Sequence, residues 1–203
     1  MYIYVSIFKY LLLNNIISFF NQFSDFSEET FIELQNIAKF KKIDAGTQIV
    51  KFGEVPSKVY LLVSGVIRCY LSTESGKEFN KSFYLPINVM ASLTALKNKS
   101  ESIFTFEALL DCEIYEVDYT KLMNLCEKNH GLSKLYTSVL EDVYTKYENR
   151  LVELISLDAR ERYLELRKQI PEVDDLIPQY HIASYLGITA VQLSRIRKKM
   201  DGH

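Results

Sequence analysis

The sequence has 203 residues, 48% of them hydrophobic and 25% charged, with a formal net charge of −2. That composition belongs to a globular chain long enough for one medium domain and one small one. It excludes a protein coated with positive charge for nucleic acid, so any contact with DNA has to be local. Cys69, Cys112 and Cys126 lie far apart with no CxxC pair, and His130, His181 and His203 are equally scattered. Neither a disulfide framework nor a metal site is predicted, no cofactor is implied, and the cysteine usage fits a reducing cytoplasm.

Residues 1–20 are apolar, but Asn14, Asn15, Ser18, Asn21 and Gln22 interrupt the run and no small-residue cleavage site follows. A signal peptide or membrane anchor is therefore not expected. Phe8, Leu12, Ile16, Phe19 and Phe23 recur at helical spacing instead and form the stripe of a packed amphipathic helix. Residues 1–8 read as an upstream extension without a role in the fold. A second helix is predicted over Phe26–Phe40, opened by Ser27 with Thr30 one turn later and by the acidic pair Glu28 and Glu29.

From Lys41 the pattern turns to short β runs. Gly46, Gly53, Gly65 and Gly76 punctuate Ile43–Leu85, the pattern of an antiparallel barrel or sandwich. Val59–Val63 is apolar enough to be buried on both faces, and Ser64-Gly65 turns the chain into Val66–Leu71. Glu74-Ser75-Gly76-Lys77 makes the next hairpin, and Ile103–Leu110 and Glu113–Val117 supply later strands. The many Tyr and Phe residues read as core and strand-pairing side chains rather than as a stacking platform.

Leu132–Leu157 contains neither Pro nor Gly, and Tyr136, Leu140, Val143, Tyr147, Leu151 and Leu154 recur in steps of three and four. Such a stripe suits the seam of a coiled coil or the docked face of a helix on its own barrel. Leu157–Ile170 is one more helix, capped by Asp158 and stopped by Pro171. Pro178–Met200 then reads as two short helices around a tight turn. Ile182 and Leu186 share one face, as do Leu193 and Ile196, Ala183 permits close approach, and Gly187 supplies a positive φ. Thr189 and Gln192 have the spacing of a capping box. Basic charge gathers at Arg195, Arg197, Lys198 and Lys199, against the single acid Asp201.

Position by position, this last stretch resembles the helix-turn-helix of bacterial DNA-binding regulators. The turns at Asp44-Ala45-Gly46 and Gly53-Glu54 and the run Tyr60–Gly65 resemble the cyclic-nucleotide-binding domain of the Crp/Fnr regulators. The resemblance implies an α+β fold: an N-terminal β-roll (a double-stranded β-helix) with flanking helices, a long dimerisation helix, and a C-terminal all-α helix-turn-helix domain. The expected divisions are 1–131 for the sensor, 132–157 for the dimer helix and 158–203 for the DNA-binding domain. Only Pro171–Ile177 separates the preceding helix from the motif, which leaves room for at most a minimal wing. The cysteine cluster of the family's oxygen-sensing members is absent, so no iron–sulfur centre is expected.

By resemblance, the effector cassette falls within Asn88–Glu107. Cyclic AMP binders use a Glu for the ribose hydroxyl and an Arg followed by Ser or Thr for the phosphate. Those positions are Ala91, Ser92, Ser102 and Ile103 here, so the charged pair is missing, and the expected effector is an unidentified small molecule other than cyclic AMP. Lys97 and Lys99 are the cations able to substitute. The second helix of the motif would enter the major groove and present Ala190, Val191, Gln192, Ser194, Arg195, Lys198 and Lys199, with Gln179 and Thr189 meeting phosphates. The implied partners are double-stranded DNA with an inverted-repeat operator, a second copy of the chain, RNA polymerase and the effector, with no membrane. Helix pairs around a glycine also occur in proteins that never touch DNA. The alternative reading is a dimeric β-roll interaction module. No catalytic constellation supports an enzyme.

Overall fold

The computed structural model describes residues 16–23 and 27–201. The expected helical positions Phe8, Leu12 and Phe26, the extension at residues 1–8, and the last two residues lie outside them. Residues 16–21 are helical, with Ile16 and Phe20 buried. Helix α1, Glu28–Ile37, is capped by Ser27, whose hydroxyl accepts the Thr30 amide at 3.2 Å. It ends earlier than its apolar spacing predicts. Ala38–Ile43 leaves the helix to become strand β1, paired antiparallel with β8 from Ala38–Val117 to Ile43–Cys112. Two cross-strand ion pairs, Lys41–Glu116 at 3.2 Å and Lys42–Glu113 at 2.8 Å, favour that register over one more helical turn.

The remaining strands are β2 (Gln48–Val50), β3 (Lys58–Ser64), β4 (Ile67–Ser72), β5 (Glu78–Tyr84), β6 (Asn88–Met90), β7 (Thr105–Ala108) and β8 (Cys112–Asp118). They form two antiparallel four-stranded sheets, ordered β1-β8-β3-β6 and β2-β7-β4-β5. Between them lie Val50, Tyr60, Leu62, Ile67, Cys69, Met90, Phe106, Ala108, Cys112 and Ile114. Strand β7 is shorter than predicted, and Ile103 and Leu110 are exposed beyond its ends. Gly65 has φ +88°, and a β-carbon there would stand 2.5 Å from the Asp111 carbonyl oxygen, so no other residue fits this corner.

Helix α2 (Leu93–Asn98) follows β6, and α3 (Tyr119–Lys128) follows β8. Helix α4, His130–Ser156, is 27 residues long and begins at Asn129, which caps it by accepting the Leu132 amide at 3.0 Å. Its first turns are buried through Leu132 and Leu135, but Tyr144, Leu151, Val152 and Ile155 further along are exposed. At about 100° per residue, the predicted seam resolves into two adjoining faces. Tyr136, Leu140, Val143, Tyr147 and Leu154 line a cleft against the chain's own roll. Leu151 belongs to the outer face with Tyr144 and Ile155, and Ile155 is 77% exposed.

Helices α5 (Ala159–Gln169), α6 (Val173–Leu176), α7 (Gln179–Leu186) and α8 (Ala190–Asp201) form the head. Asp158 and Glu161 make a complete capping box for α5. Tyr163, Leu166 and Ile170 of that helix pack behind Ile182, Ala183, Leu186 and Leu193, in one cluster that also takes Val66 from the roll. Phe83, Leu85 and Leu109 pack against the same cluster, so head and roll share an apolar interface.

Candidate DNA-reading head and effector cleft

The turn between α7 and α8 is closed by Gly187 at φ +72° and by the Ile188 amide, which donates to the Ala183 carbonyl at 3.0 Å. Thr189 and Gln192 form the box their spacing predicts. The Thr189 amide donates to Gln192 Oε1 at 2.8 Å and the Gln192 amide to Thr189 Oγ1 at 3.2 Å. Leu193 is buried, and the opposite face leaves Ala190, Val191, Gln192, Ser194, Arg195, Lys198 and Lys199 exposed. Three polar groups near this face are already engaged. The Gln192 carbonyl serves the cap. Gln179 is half-buried and donates from Nε2 to the Ala190 carbonyl at 3.2 Å. Arg197 turns inward to the Tyr163 hydroxyl at 3.0 Å and to Asp174. Reading a base through the Gln192 carbonyl would therefore break the cap. Arg195, Lys198 and Lys199 make no hydrogen bond or ion pair with the described residues.

A cleft of about 1420 Å³ runs between β5, β6 and α2 on one side and α4 on the other. Ala91, Ser92 and Ile103 line it, whereas Ser102 does not. The Ser102 hydroxyl is turned into its own loop, where it meets Ser92 Oγ at 2.8 Å, donates to the Phe104 carbonyl at 2.8 Å and accepts the Phe104 amide at 3.2 Å. The pair of hydroxyls clasps the cassette together, with Ser102 turned away from the cleft and Ser92 at its wall. Lys97 and Lys99 are exposed and outside the cleft lining, so neither takes the place of the missing Arg.

A third cluster joins roll to head. Arg68 on β4 is 4% exposed. Its guanidinium reaches Glu78 at 2.5 Å and Glu107 at 3.1 Å, and lies over the Tyr70 ring at 3.9 Å. It also donates to His181 Nδ1 of α7 at 3.1 Å. Asn80 Nδ2 donates to the same nitrogen at 3.3 Å and to the His181 carbonyl at 3.2 Å. Two donors on one ring nitrogen require the neutral imidazole. Burial, and next the Arg68 charge, push the His181 pKa down to about 4. Ser184 completes the contact. It accepts the Asn80 amide at 3.0 Å and donates to the Glu78 carbonyl at 2.9 Å, occupying the outer edge of β5. Arg150 and Arg162 meanwhile donate to the Tyr185 and Leu186 carbonyls at the end of α7, at 2.6 and 3.1 Å. These partners are spread through the chain and carry no motif. The signal in sequence was weak: a lone Arg in an apolar strand and a lone His on an apolar helix face.

Residues 40–129 match the family of the cyclic nucleotide-binding domain. The chain is 24% identical over 184 residues to the anaerobic regulatory protein of Haemophilus influenzae, covering 84% of this chain and 70% of that protein. It is 25% identical over 182 residues to the regulatory protein HlyX of Actinobacillus pleuropneumoniae, covering 84% and 75%. Its fold is similar to that of FixK2 from Bradyrhizobium japonicum, with a TM-score of 0.67, 21% identity, and 82% and 85% of the two chains covered. The β-roll, the long helix and the helix-turn-helix follow one another in the order the resemblance implied, so the chain carries a region of the cyclic nucleotide-binding family and is similar in sequence and fold to Crp/Fnr regulators.

Proposed function

We propose that the chain is a homodimeric, sequence-specific DNA-binding regulator of the cytoplasm, controlled by an effector other than cyclic AMP. The observation that carries the reading is the outer face of α8, where Arg195, Lys198 and Lys199 stand exposed without partners among the described residues while Arg197 is held inside. A helix N-terminus at Thr189 and these cations suit a phosphate backbone flanking the major groove. RNA polymerase would be met only once the head is on DNA. The sensor at 1–131, the helix at 132–157 and the head at 158–203 then act as effector domain, dimer arm and reader. The outer face of α4 supports the dimer, since Tyr144, Leu151 and Ile155 together leave an apolar stripe in water. The cassette supports an effector of another kind, since a charge-assisted hydrogen bond carries about 10- to 100-fold in affinity and both charged contacts are absent.

Selection on random duplexes tests the reading. The expected product is an inverted repeat with half-sites about 34–36 Å apart. A wild-type protein that enriches no duplex, even at about 50 mM salt, would favour the alternative of a β-roll interaction module. In parallel, Leu151→Asp with Ile155→Asp should give a monomer by light scattering. A dimer that survives both substitutions places the interface elsewhere.

A further inference from the structure

Strand β5 carries a bulge. Cys69 on β4 pairs with Ser82 and Tyr70 pairs with Asn80, which leaves Lys81 as the extra residue between them. A bulge re-aims a side chain, and this one turns Lys81 into the cleft. Its Nζ lies 4.3 Å from the centroid of the Phe104 ring and 4.8 Å from that of Tyr147 on α4. Three cations line the cleft. Lys146 is paired with Asp142 at 2.7 Å and Arg150 with Glu153 at 2.8 Å. Among the described residues Lys81 is in no ion pair, and of the carboxylates that line the cleft Glu153 is taken by Arg150 while Glu101 is exposed, so Lys81 is the lining cation left without a carboxylate in largely apolar walls. The volume, about 1420 Å³, exceeds the usual small-ligand range of about 300–1,000 Å³ and leaves room for an extended hydrocarbon or polycyclic body.

Asn80, beside Lys81 in the same bulge, holds the head through His181 and Ser184. The docked contact is incompletely bonded there, since Asn80 Oδ1 and Arg68 Nε are buried with no partner among the described residues. A shift of the bulge therefore acts on the least satisfied part of the contact. Resting on the reading of an effector other than cyclic AMP, we propose that the cleft binds an apolar monoanion through the Lys81 ammonium, and that its occupancy reaches the head through Asn80.

The test uses the full chain and two dyes of similar shape, anionic anilinonaphthalene sulfonate and neutral phenylnaphthylamine. One sulfonate dye should bind per chain. Lys81→Met should weaken it about 10-fold or more and leave the neutral dye unchanged, which also shows the fold intact, and Lys81→Arg should restore it. Equal sulfonate affinity in wild type and Lys81→Met overturns the site. Saturation with the sulfonate should speed hydrogen exchange in Gln179–Leu186 in wild type, and unchanged exchange overturns the coupling. Displacement of the dye by micromolar cyclic AMP overturns the effector reading on which the proposal rests, and is told apart because the Lys81 dependence is measured separately.

Discussion

The two helices of the head differ in what their polar groups do. In α7, His181 and Ser184 are spent on the roll and the last carbonyls on Arg150 and Arg162. In α8, Arg195, Lys198 and Lys199 are exposed with no hydrogen bond or ion pair among the described residues. The difference teaches that a buried cation such as Arg68 fixes position, whereas an exposed one such as Arg195 is free to recognise. Burying polar groups is worthwhile only when partners are supplied, and α7 receives them from four separate elements, β4, β5, α4 and α5.

The contrast is broken most severely at Arg68. Arg68→Ala leaves Glu107, Glu78 and the His181 ring facing one another without their shared donor. Removing one member of a buried charged cluster costs about 3–5 kcal/mol, to be read from urea unfolding. A loss below about 1 kcal/mol would put this cluster with exposed pairs.

A smaller effect follows from pH. His181 titrates at about 4 when docked and near 6.5 when free. Between those values the unfolded chain binds a proton that the folded chain refuses, so stability falls as pH falls through this window. The loss reaches roughly 3 kcal/mol at its lower end and is absent above the upper end. Urea midpoints measured across that range in wild type and His181→Gln should diverge, with the variant lacking this step. Parallel curves would show that the imidazole is not held neutral.

On α8 the expected changes appear in DNA binding rather than in stability. Arg195→Ala should cost roughly 1–3 kcal/mol and relax preference at one base position if it contacts a base. Arg197→Ala, next but one in sequence, should instead lower the melting temperature, because it removes the partner of Tyr163 and Asp174. Smallest is Lys199→Ala, which should weaken all duplexes alike and flatten the salt dependence by about one unit. A sequence-dependent loss at Lys199 would reverse the two roles.

The parts of the fold that could be read in advance are those in which one residue serves a neighbour a few positions away. Ser27 at α1, Asp158 at α5, and Thr189 with Gln192 are local caps, and each occurs as its position predicts. The errors arise where a distant segment decides. Ala38–Phe40 fits the end of a helical stripe, but pairing with β8 makes it part of a strand that starts at Ala38. The long-helix stripe was drawn as one seam because periodicity does not tell which of two adjoining faces meets the roll. Ser102 was placed toward a ligand, while its hydroxyl is taken by Ser92 and Phe104. Lys81 gave no signal, since a bulge is a property of two strands and not of either alone.

Ser184 has a consequence beyond regulation. Its hydroxyl occupies the outward Glu78 carbonyl and Asn80 amide at the rim of the second sheet, where no strand follows β5 among the described residues. A head that swings away uncovers main-chain groups able to template another strand. Release therefore carries a solubility hazard, and the conformer that frees α7 is also the one most prone to stack edge to edge. A chain built this way gains from keeping that conformer brief or bound, and on the proposed function occupancy of DNA would also guard against self-association.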